Sequence, residues 1–209
     1  MIAATGFVAP LGDLTGLGVA TFGQSRLPAQ TPWWESATVP GLYFAGTISQ
    51  AAAGLKKHGI PANSGAVHGH RYNARILARR IAATRFDVVL PRPSIANGDV
   101  LPFCLDELQR APELWHQRAY LARVVTVAPD EGIRDGGIVP LVTFLDDGGP
   151  DGIALTIEAD GSGAIYPAVY VRRAGRIEEE LLPTHPLLDF RTSEHREQLA
   201  GALDRVGIR

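Results

Sequence analysis

The chain has 209 residues, 45% of them hydrophobic and 20% charged, enough apolar content to bury a core in one large or two small domains. A formal net charge of −2 and a pI near 6.3 give no overall field toward nucleic acid or an anionic membrane, so neither is expected as a partner. The single cysteine, Cys104, excludes an intrachain disulfide and a CxxC redox pair in these residues. With no apolar run of about 18 residues and no basic leader at the start, the expectation is a cytoplasmic protein.

Taken in chain order, Ile2-Ala-Ala follows Met1 directly and reads like the inside of a buried strand. Gly and Pro punctuate the first 63 residues, so residues 10–40 are expected to be loop with short elements. The run Gly41-Leu-Tyr-Phe-Ala45, bounded by Pro40 and Gly46, suits a short buried strand. Beyond Asn63 the pattern changes. Val67, Ala74, Leu77, Ala78 and Ile81 recur at helical spacing, with Arg71, Arg75, Arg79 and Arg80 on the other faces. Asn63 or Ser64 is the expected cap, and Arg79, Arg80 and Arg85 complement the C-terminal end of the dipole.

Residues 86–99 hold Pro91, Pro93, Asn97 and Gly98 and are expected to link two domains, 1–85 and 100–209. The second is expected to be a small, mainly antiparallel α+β unit of unassigned role. Its strands are predicted at 120–127, 138–145, 153–158 and 164–172, separated by Asp- and Gly-rich turns and paired as a meander. Short helices are predicted at 105–110 and at 193–206, the latter capped by Thr192 or Ser193.

The order of run, glycine and helix around Gly46 carries the chemistry. A segment ending in Gly lets a ligand approach the backbone, and a following helix offers unpaired amides to a phosphate. Plain packing accounts for the same pattern, and both readings stand at this point. The residues themselves add a resemblance. Ile2-Ala-Ala-Thr-Gly-Phe7 resembles the segment by which the NAD(P)H-binding insert of two-dinucleotide-domain flavoproteins returns to the FAD domain, and Pro40-Gly-Leu-Tyr-Phe-Ala-Gly46 resembles their second FAD-contacting strand. Together with Gly54-Leu-Lys-Lys-His-Gly-Ile-Pro-Ala-Asn-Ser-Gly65, residues 1–85 resemble the C-terminal end of the class that includes flavin-containing monooxygenases and pyridine nucleotide-disulfide oxidoreductases.

That resemblance implies the C-terminal remnant of an FAD-binding Rossmann-like domain, belonging to an NAD(P)H-linked oxidoreductase that acts on a small-molecule substrate. It implies cofactor contacts from Thr5 and Gly6, from Gly46 and Thr47 beside the pyrophosphate or ribityl chain, and from Asn63, Ser64, Gly65 and Ala66 near the isoalloxazine or its phosphates. Thr47 stands where many relatives carry an acidic residue, which favours a monooxygenase-like branch over a disulfide reductase. No GxGxxG precedes a helix, so the adenosine end of FAD and the NAD(P)H site are expected elsewhere, on a second polypeptide or a longer chain. The alternative is a non-catalytic truncated flavoprotein acting as an interaction or regulatory module.

The remaining polar and aromatic residues are more ambiguous. Gln50 either contacts the isoalloxazine edge or bonds its own loop. His68 and His70 are two residues apart and diverge on a helix, so they and His58 are not expected to bind a metal. Lys56 and Lys57 read as a solvated loop, Trp33 and Trp34 as pocket wall or core, Cys104 as buried, and Glu178-Glu-Glu180 as a solvated face or edge guard.

Overall fold

The computed structural model describes residues 9, 11–23, 26–52 and 62–209. Thr5 and Gly6, with most of the first motif, and Lys56, Lys57 and His58 lie outside the described residues. The architecture is α+β. In the first part of the chain the described elements are short. A hairpin pairs β1 (Thr21–Phe22) with β2 (Leu27–Pro28), and 3-10 turns form at Gly12–Leu17, Thr47–Ala51 and Asn63–Gly65.

Residues 41–45 join no ladder, and Gly41 is a turn residue with φ 83°. They meet the segment 34–36 through one bridge, Glu35 to Tyr43, with Phe44 N donating to Trp34 O at 2.8 Å and Ser36 N to Leu42 O at 2.7 Å. The expected strand is cut short because its partner begins at Trp34, whose φ of 61° breaks the extended run.

Helix α1 (Val67–Arg85) forms where the periodicity predicts it, with two differences. Its first turn is capped neither by Asn63 nor by Ser64; the N-cap is Ala66, which has no side chain to offer, and residues 63–65 make a separate turn. The buried stripe is also rotated: Gly69, Tyr72, Asn73, Ile76 and Leu77 face inward, while Val67 is 73% exposed. A polar residue, Asn73, therefore occupies an inward position that apolar counting assigns elsewhere.

The second part begins with α2 (Val100–Arg110) and α3 (Pro112–His116). Five antiparallel strands follow: β3 (Leu121–Ala128), β4 (Gly132–Pro140), β5 (Asp151–Ala159), β6 (Ile165–Arg173) and β7 (Arg176–Leu181). Their spatial order is β4-β3-β5-β6-β7, so β5 returns to the free side of β3 and the rest is a meander. The predicted strand at 138–145 ends at Pro140, which has no amide for a ladder; α4 (Leu141–Asp146) begins there, with Thr143 Oγ1 donating to Pro140 O at 2.7 Å. Helix α5 (Ser193–Asp204) ends the fold, its first turn capped by Thr192 as the sequence suggests.

Alternation along the strands builds two layers. Val125, Ile153, Leu155, Ile157, Val169 and Val171 pack beneath α2 and α5, where Cys104 is buried. Ala122, Val124, Ala154, Ala168 and Tyr170 face α4 through Leu141 and Phe144. The Glu178-Glu-Glu180 run lies on β7, an edge strand, where Glu180 pairs with Arg205. Among the described residues, no helix is long and apolar enough to cross a membrane.

The two parts share one core. Trp34, Tyr72, Ile76 and Leu77 pack against Tyr120 and Leu121 at the start of β3. Trp34 and Tyr120 meet edge to face at 5.9 Å, and Tyr120 Oη donates to Pro32 O at 3.0 Å.

Strand pairing depends on close approach at Gly152, where a Cβ would stand 2.2 Å from Val125 O. Gly152→Ala is expected to destabilise the fold by about 1–3 kcal/mol in urea unfolding. Gly161→Ala, at a site where a Cβ meets nothing within 4 Å, should be near neutral by comparison.

Candidate functional site

The residues singled out around Gly46 and Asn63 converge at the start of α1, and a glycine makes that possible. At Gly69 a Cβ would lie 1.8 Å from Asn63 O, so only glycine lets the Asn63–Gly65 turn cross the first turn of the helix. At Gly65 a Cβ would lie 2.7 Å from Gln50 Oε1, the mobile end of an exposed side chain that can turn away, so this glycine marks the approach of Gln50 to the turn without being required for it. The geometry thus gathers Gly46, Thr47, Gln50, Asn63, Ser64, Gly65 and Ala66 on one corner of the molecule.

Gly46 starts the first turn with φ 84° and ψ −157°, a region essentially reserved for glycine. Ser49 N donates back to Gly46 O at 3.0 Å. Among the described residues, a Cβ on Gly46 would meet nothing within 4 Å. Thr47, Gln50 and Asn63 are exposed, whereas Ser64 is buried.

Beneath this corner lies a polar network. Ser64 Oγ donates to Gln117 Oε1 at 3.0 Å, Gln117 Nε2 donates to Asn73 Oδ1 at 2.6 Å, and Asn73 Nδ2 donates to Ser64 Oγ at 3.1 Å. Each group donates to the next, which closes a ring. The second proton of each amide leaves the ring: Asn73 Nδ2 reaches Ser49 Oγ at 3.1 Å and Gln117 Nε2 reaches Gly69 O at 3.0 Å. All four side chains are buried. Ser64 is therefore a structural member of the corner, and its hydroxyl is committed to Gln117 rather than to capping α1.

A neighbouring group is not satisfied. Gln30 Nε2 donates to Ile48 O at 2.7 Å on the inner side of the Thr47–Ala51 turn, but Gln30 Oε1 is buried without a donor. Trp34 Nε1 is buried without an acceptor. Such orphans cost about 1–3 kcal/mol each.

Further along, His68 and His116 meet edge to face at 4.8 Å, and burial, reinforced by the charges of His68 and neighbouring arginines, holds His116 below the usual imidazole range. Among the described residues, no group of three or more His, Cys, Asp or Glu side chains converges as a metal site would require.

Ser49, Asn73, Gln117 and Gln30 are absent from the sequence reading. Asn73 carried a signal, a polar residue four positions after Gly69 on the inward stripe. Gln117 carried none, since it reaches Asn73 across 44 positions of chain.

No protein-family model, curated protein or solved structure matches this chain.

If the ring acts as a unit, Asn73→Leu and Gln117→Leu should each destabilise by about 2–4 kcal/mol, because each strands buried partners. The double variant should lose less than the sum, with a coupling above about 0.5 kcal/mol in a double-mutant cycle read by urea unfolding. Additive losses would show that the ring is not a unit.

Proposed function

We propose that this chain supplies the C-terminal part of an FAD-dependent, NAD(P)H-linked oxidoreductase of the monooxygenase-like kind. The carrying observation is Gly46: it ends the motif that resembles an FAD-contacting strand, it adopts a backbone conformation that only glycine tolerates, and among the described residues nothing lies within 4 Å of where its Cβ would stand. A glycine kept there for conformation, with no described residue against it, is what close approach of a cofactor to the backbone requires.

The corner fits such a group in chemistry as well. Thr47 can donate to and accept from a ribityl hydroxyl or a phosphate, and Gln50 and Asn63 present exposed amides beside it. Gln30 Oε1, the buried acceptor without a donor, lies against the same turn and would be satisfied by a hydroxyl or an imide N–H. FAD, when bound, supplies the redox chemistry; these residues hold and orient it. The chain has no GxGxxG ahead of a helix, so the adenosine end and NAD(P)H would be seated by residues outside it, on the same longer polypeptide or on a partner. In this reading the Rossmann-like character of residues 1–85 is completed by that missing half.

Titration of FAD with the full chain, followed by flavin fluorescence anisotropy, tests the proposal. Half a cofactor site should give saturable binding with a dissociation constant on the order of 0.1 mM. Gly46→Val, which also strains the turn at φ 84°, should weaken it at least about tenfold, and Gln30→Leu, with circular dichroism unchanged, about threefold. No anisotropy change up to about 1 mM FAD, or equal binding by Gly46→Val, would overturn the flavin reading.

A further inference from the structure

The far end of α1 carries a second feature, independent of the flavin proposal. Arg79 and Arg80 lie roughly 20 Å along the helix axis from Val67. They line a cleft of about 270 Å³ between α1, the 90–92 segment and β4. Its walls are apolar, contributed by Ile76, Pro91, Ile138 and Val139, with the ring of Trp33 at one side.

The space exists because β4 carries a bulge there. Pairing with β3 shifts between Val124 and Val125, leaving Gly136 as the extra residue, and Gly137 adopts a φ of 81°. A Cβ on Gly136 would turn toward Val124 on β3, at 3.2 Å from its carbonyl oxygen, whereas one on Gly137 would meet nothing within 4 Å among the described residues, so it is the bare backbone of Gly137 that leaves the strand side of the cleft open.

The charges at this cleft are unbalanced. Arg80 is held 4.8 Å over the Trp33 ring, an interaction that fixes the guanidinium without using its N–H donors. Among the described residues, neither Arg79 nor Arg80 has a carboxylate or hydrogen-bond acceptor for its guanidinium, and no carboxylate lines the cleft. Nearby arginines differ: Arg92 is bonded to Glu131 at 2.9 Å and to Thr126 at 3.0 Å, and Arg85 to Glu35 at 3.1 Å and to Tyr43 at 3.2 Å. A second cleft, also lined by Trp33 and Arg80, contains Glu35 and Arg85 paired at 3.1 Å, so only the cleft lined by Arg79 has no carboxylate on its walls.

We propose that this cleft binds a small planar organic anion, an aromatic ring system bearing a phosphate or a carboxylate. The ring would lie against Trp33 and the aliphatic wall, and the anionic group would take the guanidinium donors, which are weakly hydrated and shaped for oxyanions. The volume limits the ligand to about two fused rings plus the anionic group.

The test is calorimetric titration of the full chain with 1-naphthyl phosphate, 1-naphthoate, neutral naphthalene-1-methanol and inorganic phosphate. Binding of at least one aromatic anion is expected at about 0.5 mM or tighter, with the neutral compound and inorganic phosphate at least about tenfold weaker. The stronger of the two aromatic anions identifies phosphate or carboxylate as the preferred group.

R79E/R80E should abolish the binding; because both side chains are exposed, the lost Arg80–Trp33 contact and the reversed charge near the helix end should lower the unfolding midpoint only modestly and leave the circular dichroism native. Trp33→Leu should weaken it about fivefold, and Arg196→Glu, on a distant helix, should have no effect. Gly46→Val should also leave it unchanged, and R79E/R80E should leave FAD binding unchanged, which separates this site from the flavin corner. Failure of both aromatic anions to bind, or equal binding by R79E/R80E, would overturn the proposal.

Discussion

The closed ring of Ser64, Asn73 and Gln117 is the constraint on which the candidate site depends. Three buried side chains satisfy one another in a circle, and each comes from a different element: a 3-10 turn, the first helix, and the segment entering the sheet. Without the other two, each would be a buried polar group left short of partners. Together they fix the relative position of parts of the chain that hydrophobic packing, which is not directional, would leave free to slide. The second protons of the two amides extend the constraint to Ser49 and Gly69, and so to both turns at the corner.

Glycine completes what the ring begins. Gly69 lets the second turn sit on the helix, and Gly46 lets the first turn start from a conformation closed to other residues. The corner is tied together by hydrogen bonds beneath and, among the described residues, uncovered at Gly46. The opposite end of α1 shows a related division, in which Gly137 leaves space beside the β4 bulge and Arg79 and Arg80 keep their N–H donors uncommitted among the described residues. One helix thus presents two chemically different surfaces, one of backbone and amide groups and one of guanidinium and aromatic groups.

Much of this fold was legible in the sequence. Alternating β-branched runs between Asp-Gly turns marked β3, β5 and β6, and Thr192 marked the start of α5, because those signals are local. The apolar run at 138–145 misled, since Leu141 and Phe144 look alike in a strand and in a short helix and only Pro140 marks the change. The N-terminus of α1 misled for a different reason: Ser64 is a good cap in isolation, but the buried Gln117 competes for its hydroxyl. The turn residues Gly46, Thr47, Gln50, Asn63, Gly65 and Ala66 were found through spacing and resemblance. Asn73 and Gln117 were not, because a hydrogen bond across 44 positions leaves no local pattern.

The account's central claim is that the ring holds the two turns at the corner in place, and hydrogen exchange with Gln117→Leu tests it most directly. Amides at 47–52 and 62–66 should exchange at least about tenfold faster than in the wild type, while those of β5 and β6 keep their protection. Unchanged exchange at the turns, or a uniform acceleration across turns and sheet, would contradict it.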